Sequence, residues 1–123
     1  LHLMALVLKD SDSYSWPIVY RLPVSGGRRE KQEFEAEFKR LPQSRITEIQ
    51  ELVQQRIDGV EVNISDVSIA DEVVVGWEGI VDGDGEPLPF TRRTKEQLLE
   101  LPMMAGTLIE AYFNSLVEEK RGN

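Results

Sequence analysis

Glu33-Phe34-Glu35-Ala36-Glu37-Phe38-Lys39 decides the fold. Apolar and charged residues alternate along it with period two, the repeat of a strand that turns one face to a core and the other to water. Wound as a helix, the same stretch would scatter its apolar set around the cylinder. Upstream, residues 16–24 carry Trp16, Ile18, Val19 and Tyr20, the β-branched and aromatic types that strands favour. Pro17 and Pro23 have no N–H to give a ladder, so they put this second strand at a sheet edge or mark its ends. Ser25-Gly26-Gly27 lies between the two runs and supplies the positive φ of a hairpin turn. The simplest pairing sets residues 33–39 antiparallel to residues 18–22. Before them, residues 5–8 form a short apolar run and residues 10–15 a polar loop.

Downstream the period changes. Ile46, Ile49, Val53 and Ile57 recur at spacings of three and four, which predicts a helix over residues 42–57. It starts at Gln43 or Ser44 and stops at Gly59. Residues 60–64 read as an extended connector. Ser65 is a suitable N-cap for a second helix with Val67, Ala70, Val74 and Trp77 on one face, although the valine triplet at 73–75 argues for a strand instead. The helical reading is the one adopted for residues 66–76. Residues 82–90 are a turn-dense loop. Thr94-x-x-Gln97 then has the pattern of a capping box and introduces Leu98, Leu99 and Leu101. Pro102 can open a last helix, whose stripe is Ala105, Leu108, Ile109, Tyr112, Phe113 and Leu116.

The expected architecture is α+β. An N-terminal antiparallel hairpin or small sheet covers about residues 4–40, with the hairpin at 16–40, and a mainly helical part covers about residues 43–119. Residues 4–123 read as one domain. Met4 reads as the natural start, with Leu1, His2 and Leu3 as an added remnant, which leaves the protein no histidine of its own.

Composition narrows the function. Fourteen basic residues face twenty-two acidic ones, a formal net charge of −8. That balance repels a phosphate backbone unless a basic patch is concentrated, and Arg28, Arg29 and Lys31 are interrupted by Glu30 and followed by Glu33, Glu35 and Glu37. Nucleic acid is therefore not an expected partner. The chain has no cysteine, which removes disulfides, thiolate chemistry and Cys-ligated zinc and suits a reducing cytoplasm. Apolar runs of a few residues fall far short of the roughly twenty a membrane helix needs.

No catalytic or metal constellation emerges. Asp82, Asp84 and Glu86 occupy alternate positions like the start of a calcium loop, but Pro87 stands where that loop needs glycine and Arg93 where it needs a bidentate glutamate. Gly26-Gly27 lacks a following Lys-Ser/Thr and leads into a strand, so it is no phosphate loop. No serine has a nucleophile-elbow context and no natural histidine could activate one. The expectation is a non-enzyme without metal or cofactor, acting through its apolar surfaces. Most of those surfaces are core. The last helix is nonetheless wide: Met103-Met104, Leu108-Ile109 and Tyr112-Phe113 exceed one core-facing stripe, and methionine pairs suit adaptable contacts.

The second half resembles a known family. Val74-Val75-Gly76-Trp77-Glu78-Gly79-Ile80-Val81-Asp82 followed by Asp84-Gly85-Glu86-Pro87-Leu88-Pro89-Phe90 is similar to a signature of the tail assembly chaperones of long-tailed, lambda-like bacteriophages. So are Gln97-Leu98-Leu99-Glu100-Leu101-Pro102 and Ile109-Glu110-Ala111-Tyr112-Phe113, and earlier Phe34, Ala36 and Phe38-Lys39-Arg40-Leu41. The resemblance implies a non-catalytic protein of the host cell cytoplasm, absent from the finished virion. It implies self-association into rings or spirals, binding to the tape measure protein to keep it soluble, and contact with the tail tube protein through a longer product of ribosomal frameshifting. The alternative is a structural tail completion or connector protein. Trp77, Leu98, Leu99, Met103, Met104, Leu108 and Phe113 are the candidate contact residues.

Overall fold

The computed structural model describes Leu6 and residues 12–117, in the order β1 (Ser13–Val24), β2 (Arg28–Lys39), α1 (Gln43–Ile57), α2 (Asp66–Val73), β3 (Val74–Glu78), α3 (Arg92–Leu99) and α4 (Met104–Leu116). The fold is α+β. Three antiparallel strands form a sheet in the order β1-β2-β3, and the helices follow or interrupt the chain after β2. Apart from Leu6, the apolar run at 5–8 lies outside the described residues.

The hairpin forms with the expected alternation but not the expected pairing: residues 33–39 pair with residues 13–19, and residues 18–22 pair with residues 30–34, because the turn closes tightly with Val24 opposite Arg28. Ile18 faces Phe34, Trp16 faces Ala36 and Tyr14 faces Phe38. Gly26 and Gly27 make the turn at φ 88° and 74°, a region where a Cβ would clash with the backbone. β1 is an edge strand, where Pro17 and Pro23 cost the sheet nothing on their open side. Residues 13–15 belong to β1 and not to a loop. The reason is Tyr14, which points inward, meets Phe38 edge-on at 6.0 Å between ring centres and shares a 2.6 Å hydrogen bond with the Ser115 hydroxyl.

One face of this sheet carries the core. Ile18, Tyr20, Ala36 and Phe38 pack with Ala70, Val73 and Val74, with Leu98 and Leu99 of α3, and with Met104, Ala105, Leu108 and Tyr112 of α4. Tyrosine hydroxyls tie the layers together: Tyr20 donates to the Pro102 carbonyl at 2.7 Å, and Tyr112 donates to the Lys39 carbonyl at 3.1 Å. Each buries a large ring while its polar tip finds a partner.

Residues 66–76 divide between the two readings of that stretch. Ser65 caps α2 by accepting from the Ser68 N–H, and the helix ends at Val73. The chain then turns into β3, which pairs antiparallel with β2 through Val74 opposite Phe38 and Trp77 opposite Ala36. Val74 and Trp77 therefore sit on a strand and not on a helical face. A β-branched triplet next to the open edge of β2 gains a ladder by leaving the helix.

Two helix starts also differ from the sequence pattern. The reciprocal cap of α3 is made by Thr91 and Thr94, with Thr91 Oγ1 accepting from the Thr94 N–H at 3.1 Å, one turn before the Thr94/Gln97 box. α4 begins at Met104, and its N-cap Met103 adopts a left-handed conformation at φ 65°. Pro102 thus precedes the helix instead of opening it.

Candidate functional site

α1 is amphipathic but uses only part of its apolar face. Ile49 is fully buried, Ile46 and Val53 are half-buried, and Ile57 is 69% exposed. Its attachments run to α2 and the connector before it. Arg45 donates to both carboxylate oxygens of Glu72, at 2.9 and 2.8 Å, and Arg56 donates to Asp66 at 2.9 Å. Polar clamps hold α1 beside α2 and leave it standing off α4.

The space between α1 and α4 is a groove of ≈ 670 Å³. Its apolar lining is Ile46 and Val53 from α1 with Ile109, Phe113, Leu116 and Val117 from the end of α4. The spacing explains why they converge. Ile46 and Val53 are two turns apart on α1, while Ile109, Phe113 and Leu116 step along α4 by four and three. Gly106 lies on the same row one turn earlier, and without a side chain it leaves the groove open toward α2. Gln43, Gln50 and Gln54 border it with Glu110 and the Arg56–Asp66 pair. The rim offers hydrogen bonds and the Glu110 carboxylate, which has no ion-pair partner among the described residues, and the floor is hydrocarbon.

The width of α4 foreseen from its adjacent apolar pairs is thus divided. Met104, Ala105, Leu108 and Tyr112 face the core, whereas Ile109, Phe113, Leu116 and Val117 face the groove. Of the candidate contact residues, Leu98, Leu99, Met104 and Leu108 are buried core side chains. They hold the helices in place. Phe113 lines the groove. Met103 is 80% exposed at the start of α4, away from that lining.

Trp77 belongs to a separate structure. Its Nε1 donates to the Leu88 carbonyl at 2.8 Å, and its ring meets Phe90 edge-on at 4.9 Å. The loop that the indole anchors is self-contained: Asp82 Oδ1 accepts from the N–H groups of Asp84 at 2.8 Å and Glu86 at 3.0 Å, and Leu88 N–H bonds the Ile80 carbonyl. The Asp82 carboxylate serves the turn, whereas Asp84 and Glu86 enter it through their backbone N–H groups.

Ile46, Val53, Ile109 and Leu116 are groove residues that helical periodicity assigns to core. Periodicity marks an apolar face without saying what covers it. The signal available was excess width, and only α4 showed it.

Among the described residues, no group of acidic or histidine side chains could hold a metal ion, and no helix is long and apolar enough to cross a membrane. In comparison with known protein families, residues 30–115 fit the family described as YdaY prophage protein. No curated protein and no solved structure matches the chain. The matched span runs from β2 through the loop anchored by Trp77 to the groove-lining end of α4, well over half of the sequence. This phage-derived chain belongs to the YdaY prophage protein family.

Proposed function

We propose that the protein is a non-catalytic phage tail assembly chaperone that binds an apolar helical segment of the tape measure protein in the groove between α1 and α4. The observation that carries this reading is the groove itself, a hydrocarbon floor built by two helices and bordered by glutamines. An amphipathic helix laid into such a groove buries side chains at i, i+3, i+4 and i+7 and leaves its polar face outside. Glu110 on the rim and the net charge of −8 favour a segment flanked by lysine or arginine over an acidic one. Membership of a prophage family and the likeness of residues 74–113 to tail assembly chaperones support the same reading. Self-association, contact with the tail tube protein through a frameshifted longer form, action in the host cytoplasm and absence from the virion are parts of the proposal.

Co-expression with a tape measure fragment tests it. The chain should raise the soluble fraction of the fragment and co-purify with it. Ile109→Glu/Phe113→Glu, which places carboxylates in the groove, should abolish both while the purified variant keeps its circular dichroism. A tape measure fragment that stays insoluble beside the wild-type chain overturns the reading. Recovery of the protein from purified virions would favour the structural tail completion or connector protein.

A further inference from the structure

The helices cover one face of the sheet, and the other carries a polarised pattern. On β1 the outward side chains are Ser13, Ser15, Pro17, Val19, Arg21 and Pro23; on β2 they are Arg29, Lys31, Glu33, Glu35, Glu37 and Lys39. The β1 row is thus a largely uncharged seam in which Val19 is 39% exposed. The β2 row passes from basic near the hairpin tip to acidic near the middle of the sheet. Within one chain this arrangement is unfavourable. Arg21 faces Lys31 across the ladder and Glu35 faces Glu78, like charges directly opposite each other. The one ion pair on this face among the described residues joins neighbours on the strand, Lys31 and Glu33 at 3.1 Å.

We infer that this outer face is a docking surface for a second copy of the same chain, stacked face to face with its strands reversed. A two-fold axis beside the Tyr20–Gln32 pair, which are opposite each other in the register, makes the pattern self-complementary. It sets Arg29 over Glu35 of the other copy and Lys31 over Glu33 of the other copy, and symmetry repeats both contacts. Along the seam Pro17 meets Pro23, and Val19 meets the aliphatic stem of Arg21. Such an isologous contact is the commonest way for identical chains to pair. Two twelve-residue strands make a face about 40 Å long and about 10 Å wide, roughly 400 Å² a side, half of a standard interface. The dimer is therefore weak and, because its complementarity is ionic, sensitive to salt. The inference needs nothing from the groove and holds for any cargo.

Sedimentation velocity on the full chain tests it with charge reversal. The wild type should dimerise at low salt and dissociate as salt rises. Arg29→Glu/Lys31→Glu and Glu33→Lys/Glu35→Lys should each be monomeric, with association weakened at least about tenfold. Mixing the two variants should restore a mixed dimer, and combining all four substitutions in one chain should restore a homodimer. Circular dichroism shows that each variant remains folded. A wild type that stays monomeric at about 100 μM and low salt overturns the inference, as does association that neither reversal weakens. Ile109→Glu/Phe113→Glu should dimerise like the wild type, so loss of cargo binding and loss of dimerisation are read separately.

Discussion

Arg45 grips Glu72 through parallel hydrogen bonds of 2.9 and 2.8 Å, and this fork is the firmest link between α1 and the rest of the fold. Bonding to Glu72 first, and to Glu48 second, holds the guanidinium above its usual pKa, so Arg45 keeps its charge. Both side chains are about one-third exposed, at 33% and 30%, so solvent screens the attraction. Arg45→Ala should cost about 1 kcal/mol in urea unfolding, and a double-mutant cycle with Glu72→Ala should recover at least about 0.5 kcal/mol of coupling. Hydrogen exchange should quicken in α1 and stay unchanged in β2. Equal acceleration in both elements would show that the clamp acts on global stability.

Lys95 is the buried charge among the described residues, 6% exposed under the Phe90 ring. Its Nζ donates to the Asp71 carbonyl at 2.6 Å and lies 3.2 Å from the Asp71 carboxylate, which also accepts from Arg92 at 2.6 Å. Burial alone pushes the Asp71 carboxyl up, but the hydrogen bonds from Arg92 and Lys95 outweigh it and leave the pKa below the usual value. A carboxyl with a lowered folded pKa contributes stability that is complete above its unfolded pKa. That contribution is lost as pH falls through the folded one. Stability should therefore decline from about pH 5 downward, and Asp71→Asn should flatten that limb in acid titrations followed by urea unfolding. Lys95→Met should cost about 2 kcal/mol at neutral pH by stranding the Asp71 carbonyl.

What the sequence disclosed divides along a physical line. The period of residues 33–39 and the glycines at 26–27 specify the hairpin and its inward face, because a one-residue slip would turn Phe34 and Phe38 to water. The partners of residues 33–39 are residues 13–19 and not residues 18–22, a shift set by how tightly the turn closes. β3 was half legible. Residues 73–75 carry strand propensity inside a helical pattern, and the decision between them rests on the open edge of β2, a tertiary fact that no local window contains. The groove was less legible still. Ile46 and Ile49 look alike on a helical wheel, yet one lines a groove and the other is fully buried, and the difference is set by tertiary packing that the wheel does not contain.

Tyr112 is a further lock. Its hydroxyl donates to the Lys39 carbonyl and accepts from the Leu41 N–H at 3.3 Å, joining α4 to the exit of β2. Burial raises the phenol pKa, partly offset by the Leu41 bond. A raised folded pKa gives stability that is whole below the unfolded value and disappears as pH climbs through the folded one, so the protein should weaken above about pH 10. Tyr112→Phe should remove that alkaline weakening and cost about 1 to 2 kcal/mol at neutral pH. An unchanged alkaline limb in the variant would assign the weakening to another group.

Gly76 permits a close approach between strands. A Cβ there would lie 2.6 Å from Glu37 Oε1 and 3.3 Å from Glu37 Cβ, and Glu37 is itself hydrogen-bonded by the Ser13 hydroxyl. Gly76→Ala should therefore displace the Glu37 carboxylate and cost about 1 kcal/mol. The same change in a Glu37→Ala background should cost much less. A cost that persists there would place the clash in the backbone.

Met103 tests whether an uncomfortable residue is kept for its side chain. It holds φ 65° at the start of α4 with 80% of its surface exposed, so it fills no core space to compensate the left-handed conformation. Glycine adopts that conformation freely, and Met103→Gly should stabilise the fold by about 0.5 to 1 kcal/mol in thermal or urea unfolding. If Met103 contacts the tape measure or another copy, the stabilised variant should solubilise less tape measure fragment or associate more weakly than the wild type. A gain in stability with neither loss would remove Met103 from the contact surface and leave Phe113, with its groove neighbours, to carry binding.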